Sequence, residues 1–210
     1  AGDTVLVLPG TYDRADDQEL YFKYASDGQP KNLVLKSRDG AATTILDGEG
    51  SKRLFEIVDG TDTTLHIIGF TITNGNGSVG GGGAIDFYGQ GPINLKNLIV
   101  KGNTALTPVI ISAYDTTVIE NVVIVDNNQP GAGYAPGGPV ALQIIRGNDD
   151  GEVVLKNITI ANNGELDGIN IQRQINTQWS VKIINSVIWT ETSSINTTDV
   201  NNNQTLYVYN

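Results

Sequence analysis

A block of about fourteen residues recurs five times along this chain with nearly constant grammar. It reads TTLHIIGFTITNGN from Thr63, PINLKNLIVKGNT from Pro92, TTVIENVVIVDNN from Thr116, VVLKNITIANNG from Val153 and SVKIINSVIWTET from Ser180. Aligned on Gly69, Asn97, Asn121, Asn157 and Asn185, the blocks carry an apolar residue two positions earlier (Ile67, Leu95, Ile119, Leu155, Ile183). Three positions later they carry another (Ile72, Val100, Ile124, Ile160, Ile188). A unit that repeats at a few tens of residues buries its apolar side only by stacking on its neighbours, which makes a solenoid.

The anchors are 28, 24, 36 and 28 residues apart. Each block reads as a strand, a bend at the anchor and a second strand, and a further short strand precedes it: Ala84 to Tyr88, Val109 to Tyr114, Val140 to Ile145, Gly168 to Gln172. Two or three strands per turn fit an all-β, right-handed parallel β-helix of about eight coils, a single domain over residues 1–210 with no globular second domain. Each strand would pair with its copy one coil away at ~4.8 Å. The 25 Gly and 21 Asn suit tight turns, and no twelve-residue stretch carries helical apolar spacing.

The anchor Asn97, Asn121, Asn157 and Asn185 are expected at an inward bend, each amide bonding the next as a structural ladder that offsets the burial of polar groups. One position earlier, Lys96, Glu120 and Lys156 become outward neighbours of alternating sign.

The opening AGDTVLVLPGTYDR (Ala1 to Arg14) and KNLVLKSRDGAATTILDGEG (Lys31 to Gly50) resemble the first coils of secreted bacterial parallel β-helix proteins of the pectin-lyase-like group. The stretch IINSVIWTETSSI (Ile183 to Ile195) and the terminal QTLYVYN resemble the late coils of its cell-surface members. The resemblance implies the fold and an extracellular or cell-surface location. For activity it leaves lyases, hydrolases, epimerases and adhesins open. Such proteins carry a capping helix before the first strand, and this chain starts without one. The expectation is therefore a longer polypeptide, or ends covered by flanking segments or by end-to-end self-association.

Chemistry is sparse. With no Cys, disulfides, thiolate catalysis and Cys-ligated metals are excluded. A net charge of −10 argues against nucleic acid and anionic membranes, and no apolar run is long enough for membrane insertion as a helix. Gly75 to Gly80 spells a dinucleotide-binding loop, but it leads into a strand rather than a helix, so no cofactor is expected there. The lone His66 should point outward, and Asp13, Asp16 and Asp17 form an acidic loop without the spacing of a Ca²⁺ hand. No metal site is expected, and Ca²⁺ is the one ion left open.

For a polysaccharide lyase or hydrolase, the weak catalytic candidates are Asp86, Asp115, Arg146 and Arg173. Asp86 with Asp115 is the best available carboxylate pair, whereas Asp149, Asp150 and Asp167 read as turn residues. A glycan-binding face would be built from Asp86, Tyr88, Ser112, Tyr114 and Gln143, with Tyr88 and Tyr114 one rung apart. Tyr134 would project from the Gly/Pro-rich insertion Gln129 to Pro139. The leading expectation is a non-catalytic extracellular scaffold, adhesive, matrix-forming or filamentous. The alternatives are a polysaccharide-active enzyme and a glycan-binding module.

Overall fold

The computed structural model describes residues 2–13, 20–23, 32–51, 53–59, 64–77, 82–89, 91–113, 115–129, 139–146, 151–173, 179–198 and 204–209. The chain is a parallel β-solenoid. The first turn holds β1 (Asp3–Val7), β2 (Gly10–Tyr12) and β3 (Leu20–Lys23). The second holds β4 (Leu33–Ser37), β5 (Thr44–Asp47) and β6 (Phe55–Asp59), and the third β7 (Leu65–Ile68), β8 (Thr71–Thr73) and β9 (Gly82–Gly89). From the fourth turn the first two segments fuse, giving β10 (Ile93–Lys101) with β11 (Thr107–Ala113), β12 (Thr117–Val125) with β13 (Val140–Arg146), and β14 (Glu152–Ala161) with β15 (Asp167–Arg173). The seventh turn carries β16 (Trp179–Ile184), β17 (Val187–Ile188) and β18 (Ile195–Thr198), and β19 (Gln204–Tyr209) begins another.

One sheet stacks β1-β4-β7-β10-β12-β14-β16-β19, with β2, β5, β8 and β17 alongside, and the other stacks β3-β6-β9-β11-β13-β15-β18. Every strand pairing among the described residues is parallel. The buried core runs from Leu35 in turn two to Ile183 in turn seven, and about five turns are complete with stacked neighbours on both sides, fewer than the eight coils expected from the repeat. Among the described residues, the first turn and the β17 and β18 segments of the seventh are paired on one side only, and Val5, Leu6 and Leu8 at one end and Val187 and Trp189 at the other are exposed.

Inside, like residues line up in rows. Leu35, Ile67, Leu95, Ile119, Leu155 and Ile183 form one, and Leu46, Ile72, Val100, Ile124 and Ile160 another. Phe55, Ile85, Val109, Leu142 and Ile169 form a third, in the second sheet. Each buried side chain contributes about 1.5–3 kcal/mol relative to exposure. Both apolar positions of the block are thus core positions, and Ile188 in the short β17 is only half-buried.

The first four blocks turn at two left-handed corners, and the fifth at the first of them only. The first is the anchor, with φ of 54° at Asn97, Asn121 and Asn157, 48° at Asn185 and 83° at Gly69. The second lies five residues later, at Asn74, Gly102, Asp126 and Asn162, with φ of 53°, 63°, 55° and 54°. Asn, Asp and Gly occupy these places because other L-residues clash there.

Candidate functional site

The anchor amides do not point inward as expected. They lie exposed on the outside of the first corner, where Asn157 Nδ2 donates to Asn121 Oδ1 at 2.8 Å and Asn121 Nδ2 donates to Asn97 Oδ1 at 3.0 Å. A left-handed residue at a convex bend turns its side chain away from the core, so the ladder forms on the surface.

A second stack, which the sequence did not reveal, is buried. Asn103, Asn127 and Asn163 follow the second corner, with exposures of 0%, 1% and 3%. The backbone N–H and Nδ2 of Asn103 both donate to Asn127 Oδ1, at 3.0 and 2.9 Å, and those of Asn127 donate to Asn163 Oδ1 at 3.1 and 2.9 Å. Nδ2 of each also meets a carbonyl inside the turn before: Ile72 O, Val100 O and Ile124 O, at 3.1, 3.1 and 2.9 Å. These carbonyls fix the amide orientation. Gly75 N–H joins the stack by donating to Asn103 Oδ1 at 2.8 Å. The buried amides are thereby satisfied, removing the penalty they would otherwise carry.

On the outer surface of the first sheet, Glu120 receives Lys156 Nζ at 2.9 Å and Lys96 Nζ at 3.3 Å. Those two hydrogen bonds hold its carboxyl below the ordinary range. Lys182 and Ser180 do the same for Glu152 one strand on. His66 is half-buried between Val34 and Asn94, and burial followed by the charge of Lys96 lowers its pKa.

The outer face of the second sheet carries most of the remaining candidates. Asp86 stands in register with Glu56 on one side and Ile110 on the other, and Gln143 follows Ile110. Tyr88 is in register with Ser112 rather than with Tyr114, the expected partner one rung away. Tyr114 and Tyr134 lie outside the described residues, as does most of the 129–139 insertion. Arg146 and Arg173 are register partners at the ends of β13 and β15, and their side chains are likewise outside the described set. Asp115 sits past the end of β11, five residues beyond Ile110, so it shares no rung with Asp86; its Oδ1 instead accepts the Thr116 N–H.

Asp86 has a different partner. Arg53 Nη1, from the turn before β6, lies 2.8 Å from Asp86 Oδ2 and 3.5 Å from Glu56 Oε1. Burial raises the Asp86 pKa, Arg53 and the Gly82 N–H oppose that, and Glu56 adds to it. Two carboxylates on adjacent rungs thus share one guanidinium. Arg53 was not singled out in the sequence because it is 33 residues from Asp86 and outside the repeated block.

Of the other face residues, Tyr88 is 51% exposed. Ser112, Gln143 and Asn170 are buried although alternation with Ile111, Ile144 and Ile171 turns them away from the core, while Ile110, Ile145 and Gln172 on the same face are half-buried. Near exposed Tyr88, the charged residues Asp86, Glu56 and Arg53 are half-buried. Among the described residues no three of His, Asp and Glu converge as metal ligands, and no helix is long and apolar enough to cross a membrane. Comparison with protein-family models, curated proteins and solved structures finds no match.

Proposed function

We propose that this protein is a non-catalytic extracellular or cell-surface scaffold whose useful property is the shape and stiffness of the stacked turns. The observation that carries this reading is the double Asn stack. One series of amides is buried beside the core and one lies outside it, and both lock consecutive turns in register. The apolar positions of the repeat are spent on stacking, which leaves function to the surface and to association with other copies or flanking segments. Kinship with secreted bacterial proteins of the pectin-lyase-like group belongs to the same reading and rests on the opening and closing segments quoted above.

A second reading, a glycan-binding or glycan-cleaving face, is favoured by one arrangement: exposed Tyr88 beside a half-buried Arg53, Glu56 and Asp86 trio. An aromatic ring with flanking charged hydrogen-bonding groups suits a sugar. Incubation with a panel of neutral and uronate-containing polysaccharides, with and without Ca²⁺, separates the two. The scaffold reading expects neither product release nor saturable binding. Binding that Tyr88→Ala abolishes in a folded protein would replace it with the second.

A further inference from the structure

Asn74 and Gly75 occupy the second corner of the third turn, and two unrelated demands of the fold place this pair there. Asn74 is left-handed, with φ of 53°, a conformation that favours Asn over other side chains. Gly75 packs so tightly that a Cβ would run into the Gly83 carbonyl oxygen and lie 2.8 Å from Asn103 Oδ1. An Asn followed by Gly is chemically vulnerable, because the unhindered glycine nitrogen can attack the side-chain amide. Gly75 N would lose its proton and bond to Asn74 Cγ, and Nδ2 would leave with that proton as ammonia. Water then opens the succinimide ring at either carbonyl, giving aspartate or isoaspartate.

Both atoms that must move are held. Gly75 N–H donates to buried Asn103 Oδ1 at 2.8 Å, and Asn74 Nδ2 donates to both oxygens of Asp47 at 2.9 and 3.1 Å. We propose that Asn74–Gly75 is a latent self-modification site, kept unreactive by Asn103 of the fourth turn and Asp47 of the second, and released when this corner of the third turn opens away from its neighbours. The product reinforces the opening. A carboxylate at position 74 would face Asp47, replacing two hydrogen bonds with a like-charge contact. The chain's other Asn–Gly pairs are also held: Gly77 N–H donates to Thr104 O at 3.0 Å, and the Asn163 amide is buried on Ile124 O.

The test is peptide-resolved mass spectrometry of the full chain incubated at mildly alkaline pH, folded and in urea. Asp47→Ala and Asn103→Ala are run beside it, each checked for folding by circular dichroism. Conversion at Asn74 is expected to be at least about tenfold slower in the folded protein than in urea, since it must await local opening. Asp47→Ala, which touches only the exposed side of the corner, is expected to speed it, and Asn103→Ala, where folded, to speed it more. Conversion of the folded protein at the urea rate would overturn the proposal. So would an unreactive Asn74 in urea, or no acceleration in folded Asp47→Ala.

Discussion

Asn127 sits in the middle of the buried stack and makes hydrogen bonds to the turns on both sides. Asn127→Ala should therefore cost about 3 kcal/mol or more, because it strands Asn103 and the Val100 carbonyl as well as removing its own bonds; denaturant titration measures this. The exposed anchor behaves differently. Asn121→Gly should cost about 1 kcal/mol or less, through the exposed amide bonds to Asn97 and Asn157, and Asn121→Ala about 1 kcal/mol more through left-handed strain. Thr117 fills a place in the core row between Ile93 and Val153, and its buried Oγ1 has no hydrogen-bond partner among the described residues. Thr117→Val should raise stability by up to about 1 kcal/mol. The same amino acid thus serves two purposes six residues apart in one block, and this is why one was legible and the other was not. Asn97 and Asn121 stand out by alignment. Asn103, Asn127 and Asn163 hide in segments such as GNT and DNN that read as ordinary turns, and the series breaks at Gly75 and Glu191.

At the scale of strands, the first sheet was readable because its register is set by apolar periodicity and by charges that must alternate. Lys96, Glu120 and Lys156 pair across three strands as their spacing implied. The partners in the second sheet were not readable, because residues such as Tyr88, Ser112 and Gln143 impose no phase; Asp86 faces Ile110 and Tyr88 faces Ser112. Acid titration should separate the two faces. Glu120 and Glu152 are held below their ordinary values, so their contribution is complete above the unfolded-state carboxylate range and fades as pH falls through their lowered values. Asp86 is raised, so its contribution is greatest below the unfolded-state value and is lost as pH rises through the raised one. In melting curves recorded against pH, Glu120→Gln should shrink the loss on the acid side, and added salt should shrink it further.

The whole molecule behaves as a stack of nearest-neighbour contacts, so whole turns should be removable. Deleting residues 98–121 excises one 24-residue repeat and lets Val122 follow Asn97, with Asn127 moving into the place of Asn103 under Gly75. The shortened chain should keep its β circular dichroism with a lower melting temperature, whereas a twelve-residue deletion from the same place should not fold. What ties the turns together is the buried amide stack along the core, and amide hydrogen exchange under native conditions reads it directly. The backbone N–H groups of Asn103 and Asn127, each bonded to a buried side-chain oxygen, should be among the slowest to exchange, together with the core rows around Val100 and Ile124. If those two amides exchanged as fast as unprotected surface amides, the buried stack would not be what holds the solenoid in register.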